Sequence, residues 1–231
     1  MAYESLRTIG PGESLADAAY NQLSEAILRN ELPQGSSLSV TELSEQLGIS
    51  RSPARGAVQR LIHDGLAEYR GRRGTVVSST SASGFAALLE VREVLEGLAA
   101  RGAARSEGSD GEREELAELH DRLSRVPTGA AQSASDFVTL DMAFHRLIRE
   151  MSGNPELEVL LDRIQARSHL SMHALWKGAH NVEAVLAEHA GICAAVVARD
   201  ADGAEAAARH HIASLRERVL DSIDKAGGQL S

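Results

Sequence analysis

Asp141, His145, His189 and His211 are the residues of this chain whose types and spacing point most directly to chemistry. Asp141 and His145 stand four apart in a helix-patterned stretch, so both side chains leave one face a turn apart. His189 shares an apolar stripe with Ile192 and Val196, and His211 shares one with Ala204, Ala207, Ala208 and Leu215. Three imidazoles and a carboxylate on facing helices can hold a divalent ion and leave coordination positions open. A single polar group on such a stripe is usually a hydrogen-bonded core residue; four of them on three helices are costly to bury without a shared partner. His210 lines up with Gly203, Ser214 and Glu217 and is expected to face water. Cys193, one turn after His189, reads either as a further neighbour of the ion or as a buried inert thiol. His169, His173, Trp176 and His180 gather on or after one helix as candidates to line a pocket.

The elements that must position these groups are helical. Breakers at Gly108/Gly111, Pro127-Thr128-Gly129, Gly153-Asn154-Pro155 and Gly178 separate helical patterns at about 85–106, 110–125, 134–151, 155–176, 182–199 and 201–224. Ahead of them, Ser78 to Gly84 is small and polar and reads as a linker. The first third differs in kind. Residues 14–30 form an amphipathic helix with Ser14 as cap, and Ser39-Val40-Thr41-Glu42 has the capping-box form for a short second helix through Leu47. After the Gly48-Ile49-Ser50 turn a third helix runs from Arg51 to about Asp64, and Gly65 stops it. Two short strands, Leu66 to Tyr69 and Thr75 to Val77, flank a Gly71-Arg72-Arg73-Gly74 tip. The expected architecture is mainly α: a winged helix-turn-helix over 1–77, a linker over 78–84, and an antiparallel all-helical bundle over 85–225 that also dimerises.

Net charge is −9, yet Arg51 to Arg73 carries six arginines against Asp64 and Glu68 only. A local basic face inside an acidic chain is an electrostatic footprint for phosphate. In a helix-turn-helix the first turn of the second helix enters the major groove, and here it reads Ser50-Arg51-Ser52-Pro53-Ala54-Arg55. Arg51 and Arg55 share a face and can grip guanine or phosphate; Ser50 and Ser52 offer hydroxyls to phosphate. Arg72, Arg73 and Gly74 at the wing tip can reach the backbone or minor groove. Cations at a helix N-terminus run against the helix dipole unless an anion meets them there. One cysteine excludes an internal disulfide, and no run of about 18 apolar residues spans a membrane. A cytoplasmic, nucleoid-associated protein is expected.

The segments ILRNELPQG (27–35), ELSEQLGISRSPAR (42–55) and LIHDGLAEYRGRRG (61–74) closely resemble the DNA-binding domain of the GntR family of bacterial transcription regulators. The resemblance implies that Arg51, Ser52, Arg55 and the wing around Arg73-Gly74 contact an operator. Val40-Thr41 stands where many members carry Glu-Arg, and Gly56 stands where glutamate is usual. LEVREVLE (89–96), DMAFH (141–145), Gly153-Asn154-Pro155, Glu188-His189 and His211-Ile212 resemble the FCD effector-binding domain of the FadR subfamily, with the helix number of its VanR-like branch. That resemblance implies a divalent metal ion, zinc or nickel, with a small carboxylate metabolite bound over it. Arg92 lies on the stripe of Leu88, Leu95 and Ala99, so its guanidinium should point inward and require an anion. A bridging metabolite carboxylate and an internal salt bridge with Glu96 or another acid both satisfy that requirement. The expected whole is a homodimeric, ligand-responsive repressor reading a palindromic double-stranded operator. Two alternatives stay open: a helical-bundle metallohydrolase with Glu188 as its base, and a regulator whose metal is purely structural.

Overall fold

The computed structural model describes residues 14–79, 81–107, 110–127, 131–172 and 180–225. Chain contacts divide it into two compact units, one of 1–80 with 166–173 and one of 81–165 with 174–231. The end of one bundle helix thus groups with the first unit, which the sequence did not foreshadow.

The first unit begins with α1 (Leu15–Leu28), α2 (Val40–Leu47) and α3 (Arg51–His63), followed by β1 (Ala67–Tyr69) and β2 (Thr75–Val77). Ala19, Leu23 and Ile27 of α1, Leu43 and Leu47 of α2, and Ala57, Val58 and Leu61 of α3 fill one apolar core. The Ser39 hydroxyl accepts from the Glu42 N–H and caps α2. Gly48 ends that helix in the left-handed region, φ 67°, and the Ile49 N–H reaches back to the Ser44 carbonyl at 3.0 Å. This glycine sets the sharp turn between α2 and α3. The strands pair antiparallel with Ala67 opposite Val77 and Tyr69 opposite Thr75. Between them Gly71–Arg73 form a short 3-10 turn rather than a plain hairpin tip, with Gly71 and Gly74 both at positive φ. Ser14 and Ser50 hold the N-cap positions of α1 and α3, but neither hydroxyl makes a capping bond.

Gly56 sits inside α3, and a methyl added there would meet only the Ala16 side chain at 3.6 Å, an ordinary contact. Gly56→Ala should therefore stabilise the first unit by about 0.5–1 kcal/mol, through helix propensity and a less floppy unfolded chain. Urea unfolding followed by helicity checks this, and an unchanged or lower midpoint would contradict it.

The second unit is a helical bundle of α4 (Ala82–Arg105), α5 (Asp110–Ser124), α6 (Ala131–Met151), the part of α7 (Pro155–Met172) up to Gln165, α8 (His180–Val197) and α9 (Ala201–Lys225). Helix α4 starts at Ala82, capped by Ser81 through the Gly84 N–H, so the helix begins inside the stretch expected to be linker. α4 lies along α9 and also meets α6 and α8, while α9 packs on α8. Small residues allow these close approaches: Ala99, Ala100 and Ala103 of α4 and Ala204 and Ala208 of α9 share one core with Phe144, Ile148, Ile192 and Val196. Among the described residues, no helix is long and apolar enough to cross a membrane.

Candidate metal centre and nucleic-acid interface

Asp141, His145, His189 and His211 are all buried in the bundle, on α6, α8 and α9. One ring nitrogen from each histidine lies within 4.8 Å of the other two. His189 Nε2 is 3.3 Å from His211 Nε2 and 3.5 Å from Asp141 Oδ1, and His145 Nε2 is 4.0 Å from the same oxygen. Donors at about 2.0–2.1 Å from a tetrahedral ion stand about 3.3 Å apart, so these edges suit one small cation. Phe144 stacks on the His189 ring at 4.7 Å between centroids and closes that side with apolar surface.

The far nitrogens show how the rings are held. His211 Nδ1 lies 2.8 Å from Glu188 Oε2, and His145 Nδ1 lies 3.5 Å from Glu96 Oε2. A carboxylate on Nδ1 fixes the ring and turns the Nε2 lone pair toward the cluster, the arrangement that tunes metal-bound histidines. His145 Nε2 has no hydrogen-bond partner, as expected for an atom kept for something else. Among the described residues His189 has no outer carboxylate, and its buried Nδ1 has no hydrogen-bond partner. Burial first, then the charges of His211 and His145, holds the His189 imidazolium well below its ordinary 6.5. Burial likewise lowers His211, against the pull of Glu188. These two rings are therefore neutral at neutral pH, the form that binds a metal.

Glu188 is occupied on both oxygens. Arg218 donates to Oε1 at 2.7 Å and to Oε2 at 3.0 Å, alongside the His211 contact. Burial alone would raise this carboxyl, but the hydrogen bonds from His211 and Arg218 outweigh it and hold it at about 2. A group so committed is a poor proton acceptor, which removes the base that a hydrolytic reading requires. Cys193 is buried in the apolar core, with its thiol pushed up by burial, and is absent from the histidine cluster. His210 is exposed, as its stripe predicts. His173 and Trp176, and the side chains of His169 and His180, lie outside the described residues.

Arg92 points inward as its stripe requires and is 1% exposed. Its Nε donates to Glu96 Oε1 at 3.1 Å, so the internal salt bridge is present, while Nη2 has no hydrogen-bond partner. The same Glu96 oxygen lies 3.8 Å from Nη1 of Arg149, a second fully buried guanidinium. Burial lowers Arg149 from its ordinary value, with Glu96 and Asp162 opposing. Arg149 and Arg218 escaped the sequence reading although signals existed: Arg149 follows His145 by four residues, and Arg218 follows His211 by seven. The roles of Glu96 and Glu188 required knowing which helices meet.

On the first unit, the arginines between 51 and 73 divide into two groups. Arg60 is tied to Asp17 at 2.9 Å and lies over the Tyr20 ring, and Arg70 is tied to Glu68 at 2.7 Å. Arg51, Arg55, Arg72 and Arg73 are exposed and enter no ion pair among the described residues. Ser50 and Ser52 are exposed beside them. α3 thus begins with two unengaged guanidiniums and a serine hydroxyl that caps nothing.

Residues 15–77 match the bacterial regulatory proteins of the gntR family, and residues 87–214, more than half of the chain, match the FCD domain. The HTH-type transcriptional regulator YdhC of Bacillus subtilis (strain 168) is 29% identical over 80% of this chain and 82% of its own. The HTH-type transcriptional repressor RspR of Escherichia coli (strain K12) is 25% identical over 91% of each chain. The solved structure of E. coli McbR/YncC shares the fold, with a TM-score of 0.77 over 91% of this chain and 99% of its own at 20% identity. The relatives are transcriptional regulators rather than enzymes, and the chain itself belongs to the gntR family of transcriptional regulators, with an FCD effector-binding domain behind its winged helix-turn-helix.

Proposed function

We propose that this regulator is a metal-dependent sensor of a small carboxylate, and that it represses transcription until that carboxylate binds. Asp141, His145, His189 and His211 would hold one divalent ion, zinc or nickel by their nitrogen-rich donor set. The observation that carries this is the convergence of histidine nitrogens whose rings are held by carboxylates, Glu96 behind His145 and Glu188 behind His211. An ion taking five or six ligands would keep coordination positions for a guest beyond these four protein donors. A bound ion would act there as a Lewis acid toward a carboxylate oxygen. Arg92, with one N–H nitrogen unpaired, would take part in holding the same guest.

The operator contacts would be Ser50, Arg51, Ser52, Arg55, Arg72, Arg73 and Gly74. Their support is that these four arginines are the ones left unengaged by the fold. A homodimer on a palindrome fits a further feature of α4: Val91, Val94 and Leu98 lie on one face and are about half exposed, large apolar side chains suited to cover by a second copy. The protein would act at the nucleoid, in the cytoplasm.

Linkage supplies the test. Effector and operator must change each other's affinity by one factor, typically about 5–150-fold. Titrating metal-loaded protein with carboxylates, with and without operator duplex, measures both arms. Operator that leaves carboxylate affinity untouched would refute the sensing role. A chelator separates a sensor ion from a staple: loss of response with helicity retained supports sensing, and global unfolding supports a purely structural ion.

A further inference from the structure

The first unit is completed by residues 166–173, which include the last turns of α7. Ala166 packs against the apolar core that α1, α2 and α3 fill. The next residue lies on the end of α3. That helix closes in a glycine turn, with Gly65 at φ 75°, its N–H donating to the Ile62 carbonyl at 3.1 Å and the Leu66 N–H to Leu61 at 2.9 Å. A methyl built on Gly65 would stand 2.6 Å from Cδ of Arg167, 3.0 Å from Cγ and 3.5 Å from Nε. The arginine stem therefore lies flat on the glycine backbone, where any side chain would collide with it. Its positive charge meets the electronegative end of the recognition helix, a stabilising placement for a cation. The Arg167 side chain is otherwise exposed and enters no ion pair among the described residues.

The helix that carries this residue is itself anchored one turn earlier. Asp162 pairs with Arg149 of α6 at 3.1 Å, and Gln165 Oε1 accepts from the same guanidinium. α7 is continuous from Pro155 to Met172, so its hold on α6 and its hold on the end of α3 lie little more than a turn apart. A helix is stiff over so short a span, and an anchor at Asp162 and Gln165 fixes Arg167 as well.

We infer that Arg167 is a positioning residue for operator binding: it clamps the far end of the recognition helix to α7 and touches neither base nor phosphate. The exposed first turn of α3, with Arg51 and Arg55, then presents itself from a helix gripped at its last turn. Without the clamp, α3 keeps its own hydrogen bonds but gains freedom to tilt, and each contact in the groove must first restrict that motion. The role needs neither metal nor carboxylate, so it stands or falls apart from the sensing role.

The test uses full-length protein and a duplex recovered by selection, read by fluorescence anisotropy across a salt series. Arg167→Ala should weaken operator binding about two- to thirtyfold, the range typical of residues that act on a site without touching its ligand. Helicity and the slope of log affinity against log salt should stay as in wild type. Arg167→Lys keeps a long stem and the charge and should return affinity to within about twofold. Hydrogen exchange should quicken at the Gly65 and Leu66 amides in the alanine variant and not in the lysine one. Wild-type operator affinity in a folded Arg167→Ala variant overturns the positioning role and leaves the contact as packing alone. A slope smaller by about 0.9 overturns it too, because Arg167 would then grip a phosphate itself. A lysine variant as weak as the alanine one also overturns it, since stem and charge would then count for nothing.

Discussion

His189→Ala should emerge from purification folded but without its ion, with zinc affinity at least about 100-fold below wild type. Outer partners of metal-bound histidines typically contribute about 10–100-fold, and His189 offers its nitrogen directly, 3.3 Å from His211 Nε2 and 3.5 Å from Asp141 Oδ1. Glu188→Gln is the graded comparison: it weakens the hold on His211 Nδ1 without removing a ligand, so its loss should fall inside that range. Elemental analysis with circular dichroism reads both. Zinc at a thousand times its dissociation constant should stabilise wild type by about 4 kcal/mol and His189→Ala hardly at all. Acid acts in the same direction. The His189 ring resists protonation when folded, whereas the unfolded chain takes up that proton below about 6.5, so the metal-free protein loses stability as pH falls through that value. Stoichiometric zinc in His189→Ala would remove the centre as drawn.

Arg55→Ala is expected to weaken operator binding by about 1–3 kcal/mol, or about 5–150-fold, with the fold intact. Arg55 is exposed at the first turns of α3 and engages nothing else among the described residues, so its removal leaves no buried partner stranded there. Salt dependence tells which job it does. If Arg55 grips a phosphate, its removal lowers the slope of log affinity against log salt by about 0.9; if it reads guanine, the slope stays and preference relaxes at one base pair. Arg60→Ala is the control: tied to Asp17 and lying over Tyr20, it should alter stability and leave DNA affinity near wild type. Fluorescence anisotropy on duplexes recovered by selection measures affinity, slope and base preference. Full affinity in Arg55→Ala would move the reading surface elsewhere.

Element order and type were legible from periodicity, because breakers such as Gly48, Gly65 and Gly153 sit at the turns and the apolar stripes are regular. The four candidate ligands were legible for the same reason, as polar groups out of place on greasy faces. Partners across helices were not. Nothing local marks Glu96 as the acid behind His145, or Gln165 as a neighbour of Arg149, since each pairing joins two different helices. Even the basic run in 51–73 was only half informative: composition counts Arg60 and Arg70 with the rest, and only geometry shows that they are already engaged.

Four outward arginines serve a chain whose formal charge is −9. A genome offers about a million to a billion wrong sites, each gripping a regulator through phosphate attraction alone. The acidic bulk subtracts from that indiscriminate hold and leaves hydrogen bonds to base edges untouched. Such a molecule would linger little on random chromosome, so a small number of copies would keep one address filled.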